Sequence, residues 1–288
     1  MALSIQPLNA ISDDATFRAN GKRISDQIVA VGLVRRTAGE DSGQIDWATV
    51  ARPAANNTAG YEVFAFADAL QATVPVLIKI SWGCGAATNG LRMLIDVGFK
   101  TDGAGGITGY TGHQLTLTSN SADVAATITR VSGDTNRLCL AHKANENATA
   151  ACNLFSIERT HTVVGGDTAD GVFVFSKIGS TGNICFLLTV AGGELDYHAN
   201  YTNFLHPSVG AGSTGAQTMV FPIFPARGPW MFPSLNVAAV FAVNITVGVP
   251  FSFTLLGSSR SFIPLPTTGF PVYPYTALAG FALLMRNE

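Results

Sequence analysis

Short apolar runs, rich in Val, Ile, Phe, Leu and Thr, recur along the chain and are separated by clusters of Gly, Asn, Asp and Ser. Strands joined by tight turns produce this pattern in sandwiches and barrels. The runs predict strands over 61–67, 74–82, 91–100, 113–119, 125–131, 137–142, 154–161, 171–178 and 184–191, then over 218–224, 235–246, 251–256 and 277–285. Helical periodicity is scarce. Its best instance is "SDQIVAVGLVRR" from Ser25, where Ser25 could cap a helix start, although Val29, Val31 and Leu33 alternate as a strand equally well. The segment "FPIFPARGPWMFP" from Phe221 carries four prolines, each without a ladder donor, and reads as an edge or an extended arm.

The expected fold is therefore all-β: one or two antiparallel β-sandwiches of jelly-roll or Greek-key type, preceded by a less regular N-terminal segment. Residues 1–60 are enriched in Arg and Asp, with five of the 12 arginines and five of the 13 aspartates, and hold a strand around Trp47 and the closing loop "ARPAANNTAG"; they read as a docking segment. Residues 61–288 form the sandwich body, with a subdivision near 176–215 left open. No fixed-period repeat is evident, which disfavours a propeller or solenoid.

Composition adds a constraint on the surface. In 288 residues, 47% are hydrophobic and only 12% charged, about half the charge usual in soluble domains. Much of the surface should therefore be covered, by a membrane or by other subunits. The apolar run 278–285 is far shorter than the roughly 18 residues a spanning helix needs, so no membrane-spanning helix is expected; a transmembrane barrel is a minor alternative. The opening "MALSIQPLNAISDDATFRANGKR" has no basic region ahead of an apolar core, which points to cytoplasmic synthesis. Net charge is −2 with the basic residues spread along the chain and no basic run longer than the pairs Lys22-Arg23 and Arg35-Arg36, so nucleic-acid binding is not expected. Cys84, Cys139, Cys152 and Cys185 form no CxxC pair and read as reduced, buried thiols.

Chemistry is sparse. "LFSIERTHTVVGGDTADGVFVF", from Leu154, sets Glu158, Arg159, Thr160 and His161 in a row before a Gly/Asp loop. On a strand, Phe155, Ile157, Arg159 and His161 share one face and Ser156, Glu158 and Thr160 the other, so a Glu158–His161 dyad would need a bend at Thr160. The expected role is a hairpin with Arg159 in an ion pair or interface. In "GELDYHANYT", Glu194, Asp196 and His198 alternate and would line one strand face: a solvated edge, or a low-ranked glycan or metal contact. Cys139, His142 and Cys152 lack a fourth zinc ligand. "AGSTG" lacks the first Gly of a nucleophile elbow, and "TDGAGGITG" reads as a turn rather than a dinucleotide loop. No catalytic residue, cofactor site or required metal is expected; calcium near Asp102, Asp167 or Asp170 stays open. Sequons at Asn56, Asn147, Asn200 and Asn244 fit chance in an Asn/Thr-rich chain. Trp82, Trp230, Tyr273 and Tyr275 could stack on sugars, with core or interface use preferred. Trp230, Met231 and Phe232, with Tyr273 and Tyr275 in "GFPVYPYTALAGFALLM", look like rigid interface anchors.

The blocks "YEVFAFADALQATVPVLIKISWGCGAATN" from Tyr61, "LRMLIDVGFKTDGAGGITG" from Leu91 and "FSIERTH…DTADGVFVF" together resemble a module of virion structural proteins of tailed bacteriophages, with weaker similarity in the opening "ISDDATFRANGKRISDQIVAVGLVRR". The resemblance covers roughly 61–175 and carries no active-site residue. It implies a non-catalytic virion subunit, a tail fibre, spike or adaptor before a head decoration protein, working as a homotrimer with other virion proteins. A glycan-binding host-adhesion module is the alternative, and a polysaccharide depolymerase ranks below it.

Overall fold

The structure, a computed structural model, describes residues 4–8, 11–85, 90–108, 115–118, 127–142, 153–162, 166–178, 182–189, 193–199, 208–209, 219–222, 234, 237–241, 248–255, 257–265, 270–272, 275–278 and 281–287. The chain is mostly β, with three antiparallel sheets and, among the described residues, one α-helix. The central sheet has seven strands in the order β1 (Ser4–Leu8), β9 (Thr127–Asp134), β10 (Arg137–His142), β11 (Asn153–His161), β12 (Asp167–Ile178), β13 (Gly182–Thr189), β14 (Gly193–Ala199). A five-stranded sheet runs β2 (Val34–Arg35), β3 (Thr58–Ala65), β4 (Leu77–Cys84), β5 (Leu91–Gly98), β8 (Leu115–Thr118). The third sheet runs β15 (Ser208–Val209), β16 (Met219–Pro222), β17 (Val237–Phe241), β22 (Phe281–Arg286), β19 (Ser258–Pro264), β18 (Phe251–Leu255). Two ribbons complete the set: β6 (Lys100–Thr101) with β7 (Ile107–Thr108), and β20 (Phe270–Val272) with β21 (Tyr275–Leu278).

Each predicted run overlaps a strand, because alternation and turn residues report a half-buried pleated surface directly, except that the run 277–285 is divided between two strands, β21 and β22, of different sheets. Two of the sheets are largely meanders of sequential hairpins. The Greek-key element is confined to the third sheet, where β22 inserts between β17 and β19. Pro222 closes β16, where it pairs with Ala238 of β17.

The N-terminal segment is more ordered than its sequence suggests. β1 joins the central sheet beside β9. Helix α1 (Asp14–Ala30) begins well before Ser25, which lies buried within it, and is capped by Asp13 and Thr16 in a reciprocal capping box. Its inward face carries Phe17, Asn20, Gly21, Ile24, Ser25 and Ile28. Trp47, expected in a strand, sits in a turn made by Asp46, whose carboxylate accepts the Ala48 N–H at 2.9 Å and the Thr49 hydroxyl at 2.8 Å. From there its ring packs 5.8 Å from Phe17 and edge-on to Trp82 at 5.4 Å. A Cβ on Gly21 would lie 2.0 Å from the Trp47 ring, so this helical position is held by glycine. The apolar stripe is thereby broken in sequence and intact in space.

One apolar core joins these parts. Phe17, Ile24 and Ile28 of α1 cluster with Phe64, Ile78, Trp82 and Ile95 of the five-stranded sheet and with Leu138, Phe155, Ile157 and Val174 of the central sheet. Segment 36–45 extends the edge of β3 through Arg36 N–H to Val63 O at 2.9 Å and Ile45 N–H to Tyr61 O at 2.8 Å. It bonds to the β6–β7 ribbon, and Tyr61 and Ile107 close over Val63, Ala65 and Leu77 on the outer face. The third sheet lies against the opposite face of the central sheet, where β22 meets β10. The central sheet is thus a middle layer, and β10 and β11 are buried at every position.

Candidate functional site

The row Glu158–His161 lies in this middle layer. β11 and β12 form the expected hairpin, with Arg159 opposite Val172 and an irregularity between Arg159 and His161, so the backbone does deviate at Thr160. The hydroxyl of Thr160 sits 2.6 Å from that of Thr168 and donates to Gly171 O at 3.2 Å, closing the deviation on the partner strand. His161 Nδ1 is 2.9 Å from the carbonyl of Thr162.

The two faces of β11 differ in chemistry. Phe155 and Ile157 enter the apolar core, and Arg159 follows them to the edge of that core. Its side chain is fully buried and forms a two-point ion pair with Asp68, through Nε and through Nη2 at 2.8 Å. Nη2 also donates to Val74 O at 3.0 Å, and the guanidinium stands 5.5 Å from the centre of the Phe66 ring. Asp68 and Val74 bracket the 3₁₀ turn Ala69–Ala72 between β3 and β4. Arg159 therefore fastens the middle layer to the turn of the outer one. On the opposite face Glu158 accepts from the Ser234 hydroxyl and is paired in register with Arg137, which also bonds Asp134. Burial holds the Arg137 guanidinium below its ordinary pKa, against the pull of Asp134 and Glu158.

A second ionic cluster binds segment 36–45 to the ribbon. Asp41 is fully buried and receives Arg36 Nε at 2.5 Å, the Thr101 hydroxyl and Gly105 N–H at 3.2 Å. Beside it Asp102 Oδ1 accepts the N–H groups of Ala104 and Gly106, both at 2.8 Å, and these bonds hold its carboxyl below the ordinary range. "TDGAGG" is thus a carboxylate-pinned turn, with Gly103 and Gly105 at φ of 79° and 81°. Burial first, then Asp41 and Asp102, push the Tyr61 phenol up, and its hydroxyl donates to Ser42 O. Asp167 accepts from Asn136. Among the described residues no group of three His, Cys, Asp or Glu is arranged to hold a metal ion.

A third cluster surrounds Glu62 on the inner face of β3. Arg35 Nε stands 2.8 Å from Glu62 Oε1, within ion-pair reach although its N–H is turned off the hydrogen-bond line. Sequence reasoning passed over Glu62, Asp41 and Asp68. Glu62 had a usable signal, being the one acid at alternate positions with Phe64 and Phe66. Asp41 and Asp68 stand in loops and left none.

The remaining predicted residues are placed as follows. Trp82 is buried in the core, so it is no stacking platform. Cys84 and Cys139 are buried. Glu194, Asp196 and His198 lie on β14, last in the order of the central sheet. Register pairs Asp196 with Leu187 and Glu194 with Leu188, so an extra residue at Leu195 interrupts the alternation between the two acids. Tyr275 begins β21. Trp230, Met231, Phe232 and Tyr273 lie outside the described residues. Among the described residues no helix is long and apolar enough to cross a membrane. No protein-family model, curated protein or solved structure matches the chain.

Proposed function

We propose that the chain is a non-catalytic structural subunit of a bacteriophage virion, tail-associated as a fibre, spike or adaptor, made in the host cytoplasm and acting by oligomeric assembly. The observation that carries this reading is where the charge goes. With only 12% charged residues, the chain uses Arg159–Asp68, Arg36–Asp41, Arg35–Glu62 and Arg137–Asp134 as clasps between or within elements. Each of these pairs has at least one buried member, and we read them as defining geometry more than adding net stability, which suits a subunit whose product is shape. The sequence resemblance over 61–175 supports the same reading. Reconstruction of particles from cells expressing the chain with its neighbouring virion proteins tests it. Density for the chain in a symmetric, tail-proximal position supports the proposal, and normal particles lacking it refute it.

The position of β14 at the end of the central sheet favours a second reading, a glycan-binding adhesion module using Asp196 and His198. Replacing both, Asp196→Ala with His198→Ala, separates the two. Unchanged assembly with lost attachment to host polysaccharide moves the assignment to adhesion, and lost cleavage of that polysaccharide would mark a depolymerase.

A further inference from the structure

Glu62 is a buried acid with more claims on its surroundings than they meet. Its side chain is 2% exposed. Four elements converge on the carboxylate: Arg35 from β2, Ser25 from α1, Trp47 from the turn after β2 and Trp82 from β4. Arg35 is also claimed by the helix, since Nη2 donates to Ser25 Oγ at 2.5 Å and reaches Asp26 Oδ1 at 3.4 Å. Asp26 in turn pairs with Lys22 at 2.5 Å. One half-exposed guanidinium thus serves two carboxylates, one in the core and one on the helix. Glu62 Oε2 and the Trp47 and Trp82 indole nitrogens are buried without a hydrogen bond of ordinary geometry.

We propose that Glu62 is a proton-operated latch for helix α1: uptake of one proton from solvent seats α1, and the edge strand β2 that carries Arg35, against β3 and β4, and its release loosens them. The neutral acid removes an under-compensated charge from the interface, while Arg35 keeps Ser25 and Asp26. Burial raises the Glu62 carboxyl above its ordinary 4.5, outweighing Ser25, Arg35 and both indoles. An acid so raised adds stability that is complete below 4.5 and is lost as pH rises through its folded-state value. The latch therefore closes on acidification. It does not depend on the virion reading.

Hydrogen exchange in α1, corrected for intrinsic rates and followed from about pH 5 to about pH 8 on the full chain, should show opening that grows by up to about tenfold per pH unit within the transition. Glu62→Gln, which mimics the neutral acid, should stay closed throughout. In a Trp230→Phe background, emission from Trp47 and Trp82 should titrate with the same midpoint. Arg35→Gln removes the one cation that favours the ionised form and should move that midpoint to higher pH. A pH response in Glu62→Gln equal to that of the unaltered chain, or a midpoint unmoved by Arg35→Gln, overturns the proposal.

Discussion

At the scale of single residues, Arg159 and Asp68 show how much an internal ion pair can demand. Arg159→Ala leaves the Asp68 carboxylate at a nearly dry site and the Val74 carbonyl without its donor, and should lower unfolding free energy by about 3–5 kcal/mol. Asp68→Ala should cost a similar amount, and the double variant clearly less than the sum, because each change strands the same partner. Urea unfolding of the three variants measures this; strict additivity would show that the pair is not coupled. The sequence led to Arg159 in a hairpin and to an ion pair, but not to the partner, which stands 91 positions earlier in a loop. Alternation tells which face of a strand a residue occupies and is silent on what another layer brings to that face. For the same reason the clasp at Asp41 was invisible, whereas Glu62 could have been noticed as an acid among phenylalanines on one face of β3.

At the scale of elements, helix α1 is where pattern and structure part. Strands were legible because period-2 alternation survives the loss of any one position, but a helical stripe that includes Asn20 and Gly21 no longer scores as apolar. Gly21 is there for the Trp47 ring, so Gly21→Ala should force ring or helix to shift and cost about 1–3 kcal/mol, read as a lowered thermal midpoint. A variant as stable as the parent would show that the ring can move freely. The capping box gives a pH test at the same element. Hydrogen bonds from the Thr16 backbone, then its hydroxyl, hold the Asp13 carboxyl below 3.8. A depressed acid contributes stability that is present above 3.8 and lost as pH falls through its folded-state value. The first turn of α1 should therefore fray in acid, and Asp13→Ala should fray at neutral pH while Asp13→Asn holds, as hydrogen exchange over 14–17 would report. The latch at Glu62 acts at the other end of the helix with the opposite sign, so the two are separable by direction alone.

At the scale of the whole molecule, the middle sheet divides two unlike interfaces. Toward the five-stranded sheet it presents Leu138, Leu140, Phe155 and Ile157 along with the buried polar Thr129, His142, Asn153 and Arg159, and toward the third sheet it presents Arg130, Ser132, Arg137, Ser156 and Glu158 along with Cys139, Leu154, Phe173 and Phe175, all buried. Low overall charge led to the expectation of a covered surface, and part of the answer is internal: a third sheet covers what a two-layer sandwich would leave open. Under the proposed function, assembly covers what remains, with Trp230, Met231 and Phe232 as the expected anchors. Light scattering on the purified chain at high concentration tests that assembly most directly. A stable oligomer is expected, with the mass of three copies of the 30.1 kDa chain. A monodisperse species of 30.1 kDa that persists as concentration rises would contradict it.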